Sequence, residues 1–193
     1  LVGRRMAVYC SEEAHYSVDR ACELLGIGAA NVRSLPLDEH RGMQPDALAA
    51  AIDSDLAQGV VPIAVVATGG TTLTGAVDPI PDVADICDER GVWLHIDGAY
   101  GLVAAAVPET AHLFAGLERA SSVSVDAHKW LYLPKACGVV GTGTAPSRAT
   151  SRPSNRRARS RFVAWSALRT RSSSSPGWLV APINRPPSGS GST

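Results

Sequence analysis

Short apolar runs alternate with segments of helical period along the first 140 residues. Residues 6–10 are an apolar run of strand length, and in 15–25 Val18, Ala21, Cys22 and Leu25 recur at helical spacing until Gly26 and Gly28 end the segment. Residues 32–37 predict a second strand. Pro45 opens a helix running to about Gln58, with Leu48, Ala51, Ile52 and Leu56 on its apolar side. Residues 60–67 are almost all apolar and rich in Val, the composition of a strand covered on both faces. The pattern then repeats. Residues 81–90 are helical, Gly91 stops them, and 92–96 form a buried strand ending at Asp97. A further strand, 121–125, ends at Asp126, and 138–140 begin another.

Strands alternating with helices predict an α/β fold with a doubly wound, mainly parallel sheet. Ligands gather at the carboxyl ends of the strands in such sheets. The polar clusters of this chain fall at those ends, in residues 68–74, 97–100 and 126–130.

Charge divides the chain in two. All 18 acidic residues precede position 141, together with nine of the 18 basic ones, so this part carries −9; the other nine basic residues, all arginine, lie in 141–193 and give +9. Residues 1–140 therefore read as one α/β unit and residues 141–193 as an Arg/Ser/Pro-rich tail. That tail shows no sustained period, and its composition predicts disorder, the expected result of a reading-frame shift or truncation near Gly141. The rival reading is a basic arm for nucleic acid. Arg156, Arg157 and Arg159 lack interleaved aromatics, so no nucleic-acid partner is expected.

Cys10, Cys22, Cys87 and Cys137 form no CxxC pair and no metal-type cluster, which predicts reduced, mostly buried thiols in a cytoplasmic protein and no metal site. No apolar run approaches the roughly 20 residues of a membrane span, so no membrane partner is expected. The chain starts Leu1-Val2-Gly3-Arg4-Arg5, without an initiator Met or a signal-peptide core, and reads as a piece of something longer.

Three positions carry candidate chemistry, each with a plainer alternative. Asp97 closes an apolar strand and could meet a cation at the sheet edge, or merely cap a loop. Lys129, one of two lysines in the chain, also lies just past a strand. A lysine crowded by apolar and cationic neighbours can act as an amine nucleophile toward an aldehyde; the alternative is a solvated surface lysine. His15 could stack on a planar ring or simply start a helix.

In combination these positions narrow the reading. His15, the Thr71-Thr72-x-x-Gly75 turn, Asp97 and His128-Lys129, in the text EEAHYSVDRACELLG, VVATGGTTLTGAVDPI, WLHIDGAYG and SVSVDAHKWLYLPKACGVV, resemble the large domain of fold-type I pyridoxal-phosphate (PLP) enzymes. More narrowly they resemble the group II amino-acid decarboxylases, the family of aromatic-L-amino-acid and glutamate decarboxylases. The resemblance covers essentially all of 1–140.

The resemblance implies that Lys129 bears PLP, that Asp97 pairs with its pyridine nitrogen, and that His15 lies on one ring face with the Ala99 methyl on the other. It further implies that Thr72 sits beside the cofactor and that His128 lies near its phosphate. The implied reaction is loss of CO2 from an L-amino acid, with an aromatic side chain favoured, in an obligate homodimer. Elements of the family's site should lie outside this text: a phosphate-binding Gly/Ser-rich turn upstream of Met6, and a loop bearing a catalytic tyrosine and a small domain after Val140. Animal aromatic decarboxylases usually carry Asn where this chain has Asp126, and a carboxylate there would repel phosphate, so that contact is not assigned to it. The alternatives are a carbon–carbon lyase of the sphingosine-phosphate-lyase type, which also has His-Lys followed by an aromatic residue, and a catalytically dead remnant.

Overall fold

The computed structural model describes residues 3–134 and 137–143, so the predicted disorder of the tail concerns residues that lie, from 144 onward, outside the described ones. Six strands form one sheet: β1 (Met6–Ser11), β2 (Val32–Leu35), β3 (Val61–Thr68), β4 (Trp93–Asp97), β5 (Ser122–Asp126) and β6 (Gly138–Thr142). Their order is β2-β1-β3-β4-β5-β6. The first five run parallel, and β6 is antiparallel to β5. Helix α1 (Ser17–Leu24) links β1 to β2, α2 (Pro45–Ala57) links β2 to β3, and α3 (Ile80–Arg90) links β3 to β4. The winding reverses direction at β1, which right-handed crossovers translate into α1 on one face and α2 with α3 on the other. The doubly wound, mainly parallel sheet expected from the sequence is present.

The α2–α3 face holds the core. Tyr9, Val65, Ala67, Leu94 and Ile96 project from alternate strand positions against Leu48 and Ile52 of α2 and Val83, Ala84 and Cys87 of α3, and all are buried. Each large aliphatic side chain removed from water here contributes about 1.5–3 kcal/mol. Pro79 and Pro81 shape the start of α3, and Gly91 ends it in the left-handed conformation at φ 64°, which glycine adopts without steric cost.

The opposite face departs from the sequence reading. β3 and β4 were predicted to be buried on both sides, yet Ala64, Val66, His95 and Asp97 are only half-buried and open on a cavity. Helix α1 covers only the β1–β2 end of this face, where Cys22 is buried beside Val8 and Cys10. Within α1, the shared face of Val18, Ala21, Cys22 and Leu25 is only partly covered: Ala21 and Leu25 are exposed, because no described element lies over them. Helix α2 shows a different correction. Leu56, assigned to its apolar side, is 49 % exposed, whereas Asp55 is buried in its place. The reason is polar: Asp55 accepts the Tyr9 hydroxyl at 2.8 Å and both Nε and Nη2 of Arg33 at 3.0 Å, so the helix turns this carboxylate inward.

Candidate active site

The loops at the carboxyl ends of β1, β3, β4 and β5 surround a cavity of about 870 Å³. That size lies in the range of small-molecule sites. His15, Thr72, Asp97, Ala99 and Lys129 all line it, together with Thr68, Tyr100, Ser124 and Asp126. Five of the six residues singled out from the sequence are thus brought together by four separate segments.

Asp97 is the last residue of β4, and its register partner across the β4–β5 pair is Ser124. One of its oxygens, Oδ1, accepts the Ser124 hydroxyl at 3.1 Å and the Ala99 N–H at 3.1 Å. The other, Oδ2, has no protein donor among the described residues. The loop after Asp97 is drawn close to the turn after β3 by glycines: a Cβ on Gly101 would come within 2.6 Å of the Gly70 Cα, and one on Gly98 within 2.4 Å of the Leu102 Cβ. Those small residues let the Asp97 loop and the Thr71-Thr72 turn share one wall.

Lys129 follows β5 in a tight turn, its N–H donating to the Asp126 carbonyl at 3.1 Å. Its ammonium meets the Asp126 carboxylate at 3.1 Å. The neighbour is an anion, whereas the sequence reading took apolar and cationic neighbours as the condition for a nucleophilic amine. Asp126 is accordingly turned toward the lysine. Trp130, next in the chain, packs edge-on against Tyr100 with ring centroids 5.6 Å apart, which clasps the Lys129 loop to the Asp97 loop.

His15 is exposed at the cavity mouth, just ahead of α1. Its Nδ1 accepts the Ser17 N–H at 3.3 Å and lies 2.8 Å from the Ser17 hydroxyl, so it also serves the helix start. His128 is placed differently from the others. It does not line the cavity; its Nδ1 lies 3.1 Å from the Cys137 carbonyl and its Nε2 4.0 Å from Asp126.

Burial dominates the titration of two side chains behind the site. Asp78 is buried, which pushes its carboxyl above the usual range, while the N–H groups of Thr68 and Met43, at 2.6 and 2.7 Å, work the other way. It fixes the turn that carries Thr71 and Thr72. The Cys10 thiol is pushed up to about 12, chiefly by burial. Among the four cysteines, all free, three are buried and Cys137 is half-buried. No group of three or more metal-ligating side chains occurs among the described residues. No described helix is long and apolar enough to cross a membrane.

The residues match a PLP site in two respects that this structure shows. A free carboxylate oxygen at Asp97 and an amine at Lys129 open on the same cavity, the donor set that a pyridinium nitrogen and an aldehyde require. Thr68 adds a buried hydroxyl on the cavity wall with no partner among the described residues. Comparison with known proteins agrees. The family model described as the pyridoxal-dependent decarboxylase conserved domain matches residues 2–142. The chain belongs to this family.

Within the pyridoxal-dependent decarboxylases, the chain is 43 % identical over 134 residues to a tryptophan decarboxylase of Camptotheca acuminata, covering 67 % of this chain and 27 % of that protein. It is 38 % identical over 135 residues to the human cysteine sulfinic acid decarboxylase, covering 70 % and 27 %. The solved structure of Oryza sativa tryptophan decarboxylase with PLP and tryptamine superposes with a TM-score of 0.68 at 38 % identity, covering 72 % of this chain and 30 % of that one. The chain thus spans little more than a quarter of the length of the curated relatives it matches.

Sequence reasoning missed Ser124, the Gly70–Gly101 contact and Asp126 as the partner of Lys129. Ser124 had a visible signal, since it lies on the same strand face as Asp126 by the two-residue period of a strand. The other two depend on how loops from distant segments meet.

Proposed function

We propose that the protein to which this chain belongs removes the α-carboxylate of an L-amino acid, aromatic side chains favoured, with PLP held at Lys129. The observation that carries this reading is the convergence of Lys129, Asp97 and His15 on one cavity. Bound PLP would supply the electron sink for the pair released as CO2 departs. The chain's own residues do the rest. Asp97, anchored through Oδ1, would pair with the ring nitrogen and keep a proton there. Lys129, on the cavity wall, would hold the cofactor through its amine. His15 and Ala99 would hold the ring between them, and Thr72 would support its polar contacts. His128 stays within one residue of the reacting amine and is assigned to the phosphate side.

The aromatic preference draws support from relatives named tryptophan and aromatic-L-amino-acid decarboxylases. The relative named for cysteine sulfinic acid marks the range of substrates to be compared. The proposal includes a homodimeric parent, as the family resemblance implies, in the reducing cytoplasm, a setting that suits its free, mostly buried thiols.

Borohydride reduction of the chain with PLP, followed by peptide mass analysis, tests the site: the adduct is expected on Lys129 and absent from Lys129→Ala. For the full-length parent, CO2 release from Tyr, Trp, DOPA or Glu supports the decarboxylase. Aldehyde release from a phosphorylated long-chain base, without CO2, would overturn it in favour of a carbon–carbon lyase.

A further inference from the structure

One carboxylate on the cavity rim joins three segments far apart in sequence. Glu13, two residues before His15, accepts Arg41 Nε at 2.7 Å on Oε1, and the same oxygen also meets Arg41 Nη2. Its Oε2 accepts the Thr74 hydroxyl at 3.1 Å. The Thr74 oxygen lies 2.7 Å from the hydroxyl of Thr71, which is buried at the cavity wall. With Thr74 donating to Glu13, the Thr71 hydroxyl donates to Thr74, and the three groups form one directed chain. The Glu13 side chain is only 12 % exposed, whereas that of Arg41 is 54 % exposed.

The segment that delivers Arg41 is unusual in itself. Arg41 has φ 64°, in the left-handed region that non-glycine residues seldom occupy. Asp38 holds this conformation by accepting the N–H groups of His40 and Gly42 at 2.8 Å each. A residue kept in such a state is over-determined by its surroundings, which points to a use for the side chain so presented. The only partner the described structure gives the Arg41 side chain is Glu13.

We propose that Glu13 is a positioning residue that ties the His15 loop to the Thr72 turn, with Arg41 aiming its carboxylate. His15 and Thr72 stand on opposite sides of this link, so it sets the spacing between two walls of the cavity. The inference rests on the proposed function in taking that cavity as the cofactor site. Glu13 does no chemistry: Arg41 and Thr74 engage both of its oxygens.

Two measurements on the cofactor-free full chain test the link. The first is backbone deuterium exchange in Glu13→Gln, Thr74→Val, Arg41→Lys and Arg41→Gly. The Gly variant relieves the left-handed turn while removing the guanidinium. In Glu13→Gln, Thr74→Val and Arg41→Gly, exchange is expected to rise about threefold or more in both 12–18 and 71–76, with β3 and β4 unchanged. Arg41→Lys is expected to retain most of the protection. The second is the His15 ring resonance, assigned with His15→Gln, which is expected to shift in Thr74→Val although that substitution lies 59 positions away in sequence. Exchange confined to the substituted segment, or a His15 signal that stays in place, would overturn the inference. Failure to trap PLP on Lys129 of the unaltered chain sinks the functional reading instead, and leaves the exchange result to decide the link.

Discussion

Ser124 donates its hydroxyl to Asp97 Oδ1 at 3.1 Å, directly across the β4–β5 pair. With the Ala99 N–H on the same oxygen, one half of the carboxylate is committed to the protein, and the other has no donor among the described residues. The arrangement sets the carboxylate plane before any ligand arrives, the kind of preorganisation that spares a site reorganisation on binding. Ser124→Ala removes a hydrogen bond to a charged group, worth about 1.5–3 kcal/mol. PLP retention by the chain is expected to weaken by about tenfold, the equivalent of 1.4 kcal/mol, with the Lys129 adduct still trappable. Equilibrium dialysis of PLP against the variant checks this; retention equal to that of the unaltered chain would show that Asp97 needs no anchor.

Asp126 holds the Lys129 ammonium at 3.1 Å and so competes with an incoming aldehyde for the amine. Both side chains are partly exposed, 27 % and 32 %, which makes the pair a modest contributor to stability. Asp126→Asn is expected to leave the melting temperature nearly unchanged. The rate of borohydride-trapped PLP incorporation is expected to rise severalfold. A slower rate would mean that Asp126 orients the lysine for attack.

The Gly70–Gly101 contact yields a stability prediction with an internal control. A Cβ on Gly101 would lie 2.6 Å from the Gly70 Cα and 2.7 Å from the Gly69 carbonyl oxygen, both backbone atoms that cannot swing aside. Gly101→Ala is expected to destabilise the chain by about 1–3 kcal/mol, the usual cost of forcing extra volume into a packed site. Gly141→Ala, whose Cβ would meet nothing within 4 Å, is expected to be close to neutral. Denaturant midpoints of the two variants decide the matter.

Acid sensitivity follows from Asp55. Burial alone would raise its carboxyl, but the hydrogen bonds from Arg33 and Tyr9 and the charge of Arg33 outweigh that, and the net direction is downward. A carboxyl lowered in the folded state contributes stability above its unfolded value of about 3.9, and that contribution is lost as the pH falls through the lower folded value. Arg33→Met is expected to flatten the loss of thermal stability between about pH 4 and pH 2.5 while lowering stability at pH 7. Asp78 acts in the opposite sense. Its carboxyl is raised by burial, so its contribution is largest at low pH and declines as the pH rises past the ordinary carboxylate range. Melting temperatures across pH 2.5–7 for the Arg33 variant, set against the unaltered chain, test the sign assigned to Asp55.

The pattern of apolar residues by itself determined which segments form strands and which form helices, and that the sheet is doubly wound and mainly parallel. Periods of two and 3.6 residues are local properties and survive reading one residue at a time. The positions of Asp97 at the end of β4 and of Lys129 just past β5 were legible for the same reason, since a polar residue closing an apolar run, as Asp97 and Asp126 do, must emerge at a sheet edge. Only the tertiary structure decided which strand faces are covered. Residues 60–67 have the composition of a strand buried on both sides, yet one side of β3 opens on the cavity. Tertiary structure also decided that Asp55 turns inward in place of Leu56, that Ser124 anchors Asp97, and that Asp126 answers Lys129. Each of these rests on a charge or hydroxyl finding its partner on a different element. Periodicity carries no information about such a pairing, because its energy exists only once the two elements have been brought together.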